Sequence, residues 1–107
     1  MSETMRDILQ NWVVGLKLEN DWRFMDYDTQ GNSVRVWLIK NDKVISTTLT
    51  EKETGLYHYF ILLEKYPKGG NQDNTKKLSE KQQVLESTYE KAVEELKNVV
   101  TTLMLKY

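Results

Sequence analysis

The sequence predicts an α+β fold in which a three-stranded antiparallel meander is flanked by helices. Apolar and polar residues alternate between residues 22 and 49, as they do in half-buried strands, whereas apolar residues before and after this segment recur at helical spacing. A length of 107 residues fits a single domain, residues 1–107, built around one core. We expect the element order αβββαα, with αββββα as the alternative.

Residues 2–17 are predicted to form an N-terminal amphipathic helix. Ser2 is a suitable N-cap, and Glu3 and Asp7 lie where the helix dipole favours negative charge. The apolar positions follow the i, i+3, i+4, i+7 pattern of one buried face, and they are Met5, Ile8, Leu9, Trp12, Val13 and Leu16.

Two turns fix the predicted register of the meander. Residues 29–31 suit a three-residue hairpin loop that pairs Phe24 with Val36, and residues 41–42 suit a two-residue turn that pairs Leu38 with Ile45. Both registers place one apolar set on the same face, and a slip of one residue would mix the faces. This predicted core face consists of Trp22, Phe24, Val34, Val36, Leu38, Ile45 and Leu49.

Residues 50–66 carry conflicting signals. Thr50 and Glu53 form a capping-box pattern, and the segment ends before Pro67, which together favour a helix. The aromatic and β-branched run from residue 57 to residue 61 and the flexible Gly55 favour a strand instead. We favour the helix, with a fourth strand hairpinned to residues 43–49 as the alternative.

The last part of the chain is predicted to be a flexible loop, residues 68–77, followed by a long helix over residues 79–106. Ser79 and Gln82 form a second capping box, and apolar residues recur with the period of a coiled-coil seam. Such a helix would be about 42 Å long, and a compact domain of this length is only about 34 Å across. We therefore expect a homodimer that covers the end of the stripe, through Leu96, Val99, Val100, Leu103 and Met104.

The second face of the meander is the predicted partner-binding surface. It combines two of the three arginines of the chain with aromatic side chains, and the predicted register sets Arg23 opposite Trp37 at a distance that suits a cation–π contact. Arginine, tryptophan and tyrosine are enriched where proteins bind one another. The expected binding residues are Arg23, Tyr27, Arg35 and Trp37.

Composition excludes several chemistries. The chain has no cysteine, and its one histidine, His58, has no neighbouring pattern of acid or nucleophile. Residues 26–31 resemble the start of a calcium loop, but Trp37 stands where a bidentate glutamate is needed. We expect no catalytic residues, no metal site and no cofactor.

The expected function is that of a small non-catalytic regulatory module, of inhibitor or accessory-factor type, that binds a protein of unknown identity. The alternative is a nucleic-acid-binding accessory protein that uses the arginine and aromatic face, which the net charge of −1 disfavours. No apolar stretch is long enough to suggest a membrane span, and the lack of cysteine fits the cytoplasm. Twelve lysines against three arginines, with one alanine, suggest a low-GC bacterial or phage source.

Overall fold

The computed structural model describes residues 18–67 and 75–107, which form an antiparallel sheet of five strands followed by a helix. In chain order the elements are β1 (Arg23–Gln30), β2 (Ser33–Lys40), β3 (Lys43–Glu53), β4 (Leu56–Lys65), β5 (Lys76–Glu86) and α1 (Tyr89–Lys106). Each strand pairs with the next along the chain, so the spatial order is β1-β2-β3-β4-β5. The predicted three-stranded meander is therefore wrong, and neither αβββαα nor αββββα describes the sheet.

The helix predicted over residues 50–66 is wrong, because this segment contains the end of β3, a turn and β4. The side chains of β4 alternate between buried and half-buried along its length, as a strand between two neighbours requires. Gly55 has a φ of 83° at the turn between β3 and β4, a conformation that glycine adopts without steric cost. The strand preference of the aromatic run outweighs the capping-box pattern once both sides of β4 find partners.

The long helix predicted over residues 79–106 is also wrong, because its first part is strand β5. The helix α1 begins after Thr88, whose Oγ1 accepts a hydrogen bond from the Lys91 backbone N–H at 3.4 Å. Leu85 and Tyr89, whose spacing of four fits one helical stripe, thus belong to different elements. Pairing of β5 with β4 along ten residue pairs overrides the helical preference of its lysines, glutamates and glutamines.

Two predictions fall on residues that the structure does not describe. The N-terminal helix over residues 2–17 lies outside the described residues. The predicted loop over residues 68–77 lies outside them as well, except at its end, where Lys76 and Lys77 begin β5.

The core lies between α1 and one face of the sheet. Its side chains from α1 are Ala92, Val93, Leu96, Val100 and Met104, and its largest fully buried side chains from the sheet are Leu38, Ile45, Leu49, Tyr59, Ile61 and Leu63. The end of α1 is tied to the segment before β1, since Asn20 Nδ2 donates to the Met104 carbonyl at 3.0 Å. Lys40 Nζ likewise donates to the Tyr107 carbonyl at 2.9 Å. No helix within residues 18–67 and 75–107 has the length and apolar character of a membrane span.

The predicted register is confirmed for β2 and β3 and is wrong for β1 and β2. Leu38 lies opposite Ile45, as the turn at residues 41–42 predicts. Gln30 pairs with Ser33, however, so the first turn contains two residues rather than three, and Phe24 lies opposite Leu38 instead of Val36. A β-bulge between Phe24 and Asp26 then moves the register of β1 back by one residue.

Candidate binding edge

Exposed apolar side chains concentrate at the first strand of the sheet. Six large apolar residues are exposed in the described part of the chain, and four of them fall between residues 18 and 27. The six are Leu18, Phe24, Met25, Tyr27, Val84 and Leu105. Three of the six lie on β1 itself, which makes this strand the most apolar exposed element.

All eight residues of β1 are exposed, although seven of them pair with residues of β2. Phe24 lies on the face that α1 covers, directly opposite Leu38, yet it is 40% exposed whereas Leu38 is fully buried. The core therefore ends between β2 and β1. Trp22, just before the strand, is the last side chain of this region that is fully enclosed, at 2% exposure.

The β-bulge decides which side chains of β1 share a face. Met25 is the extra residue: Asp26 and Tyr27 continue the register of the turn, opposite Trp37 and Val36, whereas Phe24 beyond the bulge lies opposite Leu38. Tyr27 therefore faces the side of the sheet that carries α1, together with Phe24, and the two rings are 6.0 Å apart at an interplanar angle of 37°. Tyr27 lies on this face rather than the predicted one because the first turn contains two residues instead of three; without the bulge it is Phe24 that would point to the other face.

The four predicted partner-binding residues are consequently split between the two faces. Arg23, Arg35 and Trp37 share the face away from α1, and Tyr27 does not. A cation–π contact does occur at Trp37, but the guanidinium that lies 5.7 Å from its ring centroid belongs to Arg35 rather than Arg23. Trp37 is only half-buried, and Val44 on the same face is 6% exposed.

Charged groups border the exposed aromatic pair. Asp28 lies opposite Arg35 but forms no ion pair with it, because Arg35 Nη2 is directed to Gln30 Oε1 at 3.4 Å. Asp26 Oδ1 accepts the backbone N–H of Tyr27 at 2.8 Å. Within the described residues neither Arg23 nor Asp28 has an ion-pair partner, so both charges are available to a partner molecule.

The two edges of the five-stranded sheet differ in composition. In β5 charged side chains occupy five of eleven positions, and three of them are lysines: Lys76, Lys77, Glu80, Lys81 and Glu86. Lysines along an edge strand discourage the addition of another strand. In β1 there is no lysine, and the exposed apolar residues stand next to backbone groups that no other strand of the described chain pairs on the outer side. The edge of β1 is therefore the more receptive of the two.

An open cleft of about 710 Å³ adjoins the start of β1. It is lined by Asp21, Trp22, Arg23, Ile39, Lys40 and Asn41. Three residues at this corner have positive φ, namely Asn20 at 57°, Asp21 at 67° and Asn41 at 55°. The lining has mixed charge, and its Lys40 ammonium is already bonded to the Tyr107 carbonyl, so the cleft does not select an anion or a cation.

The five residues predicted as an oligomer interface face the sheet of their own chain. Leu96, Val100 and Met104 are buried in the core, and Val99 and Leu103 are partly buried against it. The helix α1 has 18 residues and is about 27 Å long, so it does not extend beyond a domain of this size. The physical reason for expecting a dimer through this helix is thus removed.

Two titratable side chains of β4, His58 and Tyr57, have structural partners. His58 Nε2 is 3.2 Å from Gln82 Oε1 on the face away from α1. The Tyr57 hydroxyl donates to Glu51 Oε2 at 2.9 Å, and burial, followed by this hydrogen bond, raises the pKa of Tyr57 to about 12. No group of three histidine or acidic side chains in the described ranges is placed to hold a metal ion.

Sequence reasoning missed Phe24 and Met25 as site residues. Phe24 was assigned to the core because alternation along the strands places it on the same face as Trp22 and Leu38. Alternation predicts the face of the sheet that a side chain occupies, but not how deeply the side chain is buried. A usable signal was present: residues 23–30 come first in the meander, and the first strand of a meander is an edge. Neighbouring aspartates, Asp26 and Asp28, are also typical of a solvated strand.

No protein family model, curated protein or solved structure matches this chain. Its function therefore has to be inferred from β1 and the residues around it.

Proposed function

We propose that this protein is a non-catalytic, regulatory protein-binding module that takes up an extended partner segment along the free edge of β1. The observation that carries the proposal is the exposure of Phe24, Met25 and Tyr27 on a strand whose outer side has no neighbour in the described chain. The absence of cysteine is compatible with action in the cytoplasm.

When a strand is added to a sheet edge, the backbone and the side chains contribute differently to recognition. Backbone hydrogen bonds supply affinity for any extended segment, and contacts to alternate side chains supply specificity. In β1 the Phe24 and Tyr27 rings form an aromatic pair on one face, and Arg23 and Asp28 provide unpaired charges on the other. Tyrosine at such a site contributes a large contact area at a small loss of conformational entropy.

The alternative of nucleic-acid binding has weaker support. It would use Arg23, Arg35 and Trp37, but Asp26 and Asp28 lie opposite Trp37 and Arg35 on that same face. Phosphate contacts dominate affinity for nucleic acids, and two carboxylates beside the arginines oppose them. We therefore retain protein binding as the proposed function.

Selection from a displayed library of random peptides tests the proposal. We expect enriched peptides to have the alternating apolar pattern of a strand. Their affinity for a Tyr27→Lys variant should be at least about tenfold lower, because the lysine removes the aromatic pair and discourages addition of a strand to the edge. Val84→Lys is the matched control, since Val84 is the exposed apolar residue of the opposite edge strand.

The proposal fails if no peptide is enriched over an unrelated protein of similar size. It also fails if enriched peptides bind Tyr27→Lys as well as the wild type and lose affinity for Val84→Lys. Both substituted positions are exposed, so a circular dichroism spectrum and an unchanged melting temperature suffice to show that each variant is folded.

A further inference from the structure

We propose that a second copy of this chain occupies the edge of β1, by antiparallel pairing of the two β1 strands about a two-fold axis between Met25 and Asp26. This inference rests on the proposed function, because it names the partner of the same edge. It would join two five-stranded sheets into one continuous sheet of ten strands.

The bulge makes this pairing geometrically consistent. In two antiparallel strands, residues that lie opposite each other point to the same face. About the proposed axis Phe24 lies opposite Tyr27 of the other copy, and both face the α1 side. Arg23 lies opposite Asp28, and both face the other side. In an unbulged strand these partners would point to opposite faces, so the extra residue Met25 is what permits the register.

The same register also pairs complementary chemistry. Each Arg23 guanidinium meets an Asp28 carboxylate of the other copy, and each Phe24 ring meets a Tyr27 ring, so every contact occurs twice across the axis. Opposite charges and aromatic pairs directly across two strands are stabilising. Neither Arg23 nor Asp28 has an ion-pair partner within the described part of the chain.

Other symmetric registers lack this match. An axis at Met25 or at Asp26 places Phe24 opposite a residue of the other face, either Asp26 or Asp28. An axis at Asp28 keeps the faces aligned for the last part of β1, but it sets Asp28 directly opposite its own copy, and like charges opposite each other are destabilising. An interface of one short strand is small, so we expect a dimer that dissociates on dilution.

Disulfide cross-linking tests the register, because the native chain has no cysteine. In Met25→Cys the two introduced thiols lie diagonally across the axis, with their Cα atoms about 6 Å apart, which a disulfide can span. In the control Thr29→Cys the thiols are about 24 Å apart, far beyond reach. Both positions are exposed on β1. We expect mild oxidation to yield a covalent dimer of Met25→Cys and only monomer of Thr29→Cys.

A charge exchange tests the pairing chemistry without any thiol. Arg23→Asp and Asp28→Arg alone each place like charges opposite each other twice, so each should raise the dimer dissociation constant at least about tenfold. The double variant Arg23→Asp/Asp28→Arg restores both pairs with reversed polarity, and it should return the dissociation constant to within about threefold of wild type. Sedimentation equilibrium over a range of protein concentrations measures all four proteins.

The possible outcomes separate this inference from the proposed function. A wild-type chain that stays monomeric at millimolar concentration, or equal cross-linking of Met25→Cys and Thr29→Cys, overturns the self-pairing. If selected peptides still bind wild type and lose affinity for Tyr27→Lys, the edge of β1 is a binding site for another protein. If no peptide binds and no dimer forms, the proposed function fails as well.

Discussion

The hydroxyl of Thr47 shows how individual residues limit the stability of this sheet. Thr47 is 2% exposed in the core, opposite Val36 and Ile61, and its Oγ1 has no hydrogen-bond partner within the described residues. A buried hydroxyl without a partner costs about 1–3 kcal/mol.

Thr47→Val should therefore raise the free energy of unfolding by about 1 kcal/mol, because valine keeps the shape and removes the unpaired hydroxyl. Urea unfolding followed by circular dichroism measures the change. Thr48→Val, on the half-buried opposite face, is the matched control and should change the free energy by less than about 0.5 kcal/mol. A destabilised Thr47→Val would show that the hydroxyl is satisfied in the folded protein.

Tyr57 should make the fold sensitive to alkaline pH. Its pKa is raised from 10.0 to about 12 by burial and by the hydrogen bond to Glu51. Between these values the unfolded chain has lost the phenolic proton and the folded chain retains it, so the unfolded state binds fewer protons. The contribution of Tyr57 to stability is thus complete below the unfolded pKa and is lost as pH rises through the folded pKa.

We expect the free energy of unfolding to fall by an amount on the order of 1 kcal/mol from this group as pH rises from about 10 to 12. Urea titrations at several pH values measure the slope. In Tyr57→Phe the slope should be shallower, although Tyr59, whose pKa burial also raises, will keep part of it. An unchanged slope in Tyr57→Phe would assign the alkaline sensitivity to other groups.

At the scale of elements, β1 and β4 have opposite roles although both carry aromatic residues. The central strand β4 has neighbours on both sides and places Tyr57, Tyr59, Ile61 and Leu63 in the core. The edge strand β1 places Phe24 and Tyr27 outside it. The first set holds the fold together, and the second is free to bind.

This division predicts that truncating a side chain of β4 and one of β1 will change the free energy of unfolding by very different amounts. Ile61→Ala should lower the free energy of unfolding by about 2–5 kcal/mol, because it leaves a cavity in the core. Tyr27→Ser should lower it by less than about 1 kcal/mol, because Tyr27 is 48% exposed. Chemical denaturation of both variants measures the contrast. Comparable losses would place Tyr27 in the core and remove the basis of the binding edge.

The same elements show how far sequence patterns predict this fold. The register of β2 and β3 follows from the turn at Asn41 and Asp42, because strict alternation on both sides leaves no other register with one apolar face. Strand β5 could not be recognised in this way. Its outer edge is solvated, so its composition is lysine, glutamate and glutamine, and its few apolar residues, Leu78, Val84 and Leu85, carry no clear period of two.

The candidate site was predictable only in part, because it depends on how the strands pair and pack and not on local sequence alone. The contact between an arginine and Trp37 was expected, but the arginine is Arg35, because the two-residue first turn and the bulge together set Arg23 opposite Ile39 instead of Trp37. A bulge depends on how two strands pair and leaves no mark in the local sequence around Met25. The exposure of Phe24 likewise depends on where the helix stops covering the sheet, which is a property of the packed elements.

At the scale of the whole molecule, the sheet has two unlike edges and one covered face. The helix α1 covers one face, lysines protect the β5 edge, and apolar side chains line the β1 edge. A sheet with one protected edge and one receptive edge adds strands on one side only, so its assemblies are closed rather than fibrous. Under the proposed function, β1 is therefore the one edge within the described residues where we expect another strand to join this protein.

Backbone hydrogen exchange, resolved residue by residue, tests that claim most directly. Exchange is compared for the protein alone at low concentration and with a saturating amount of the strand that binds it, either a selected peptide or the protein itself at high concentration. We expect added protection of amides within residues 23–30 and no change within residues 76–86. Protection that appears in β5, or on the face of Trp37 while β1 stays unchanged, would contradict the account.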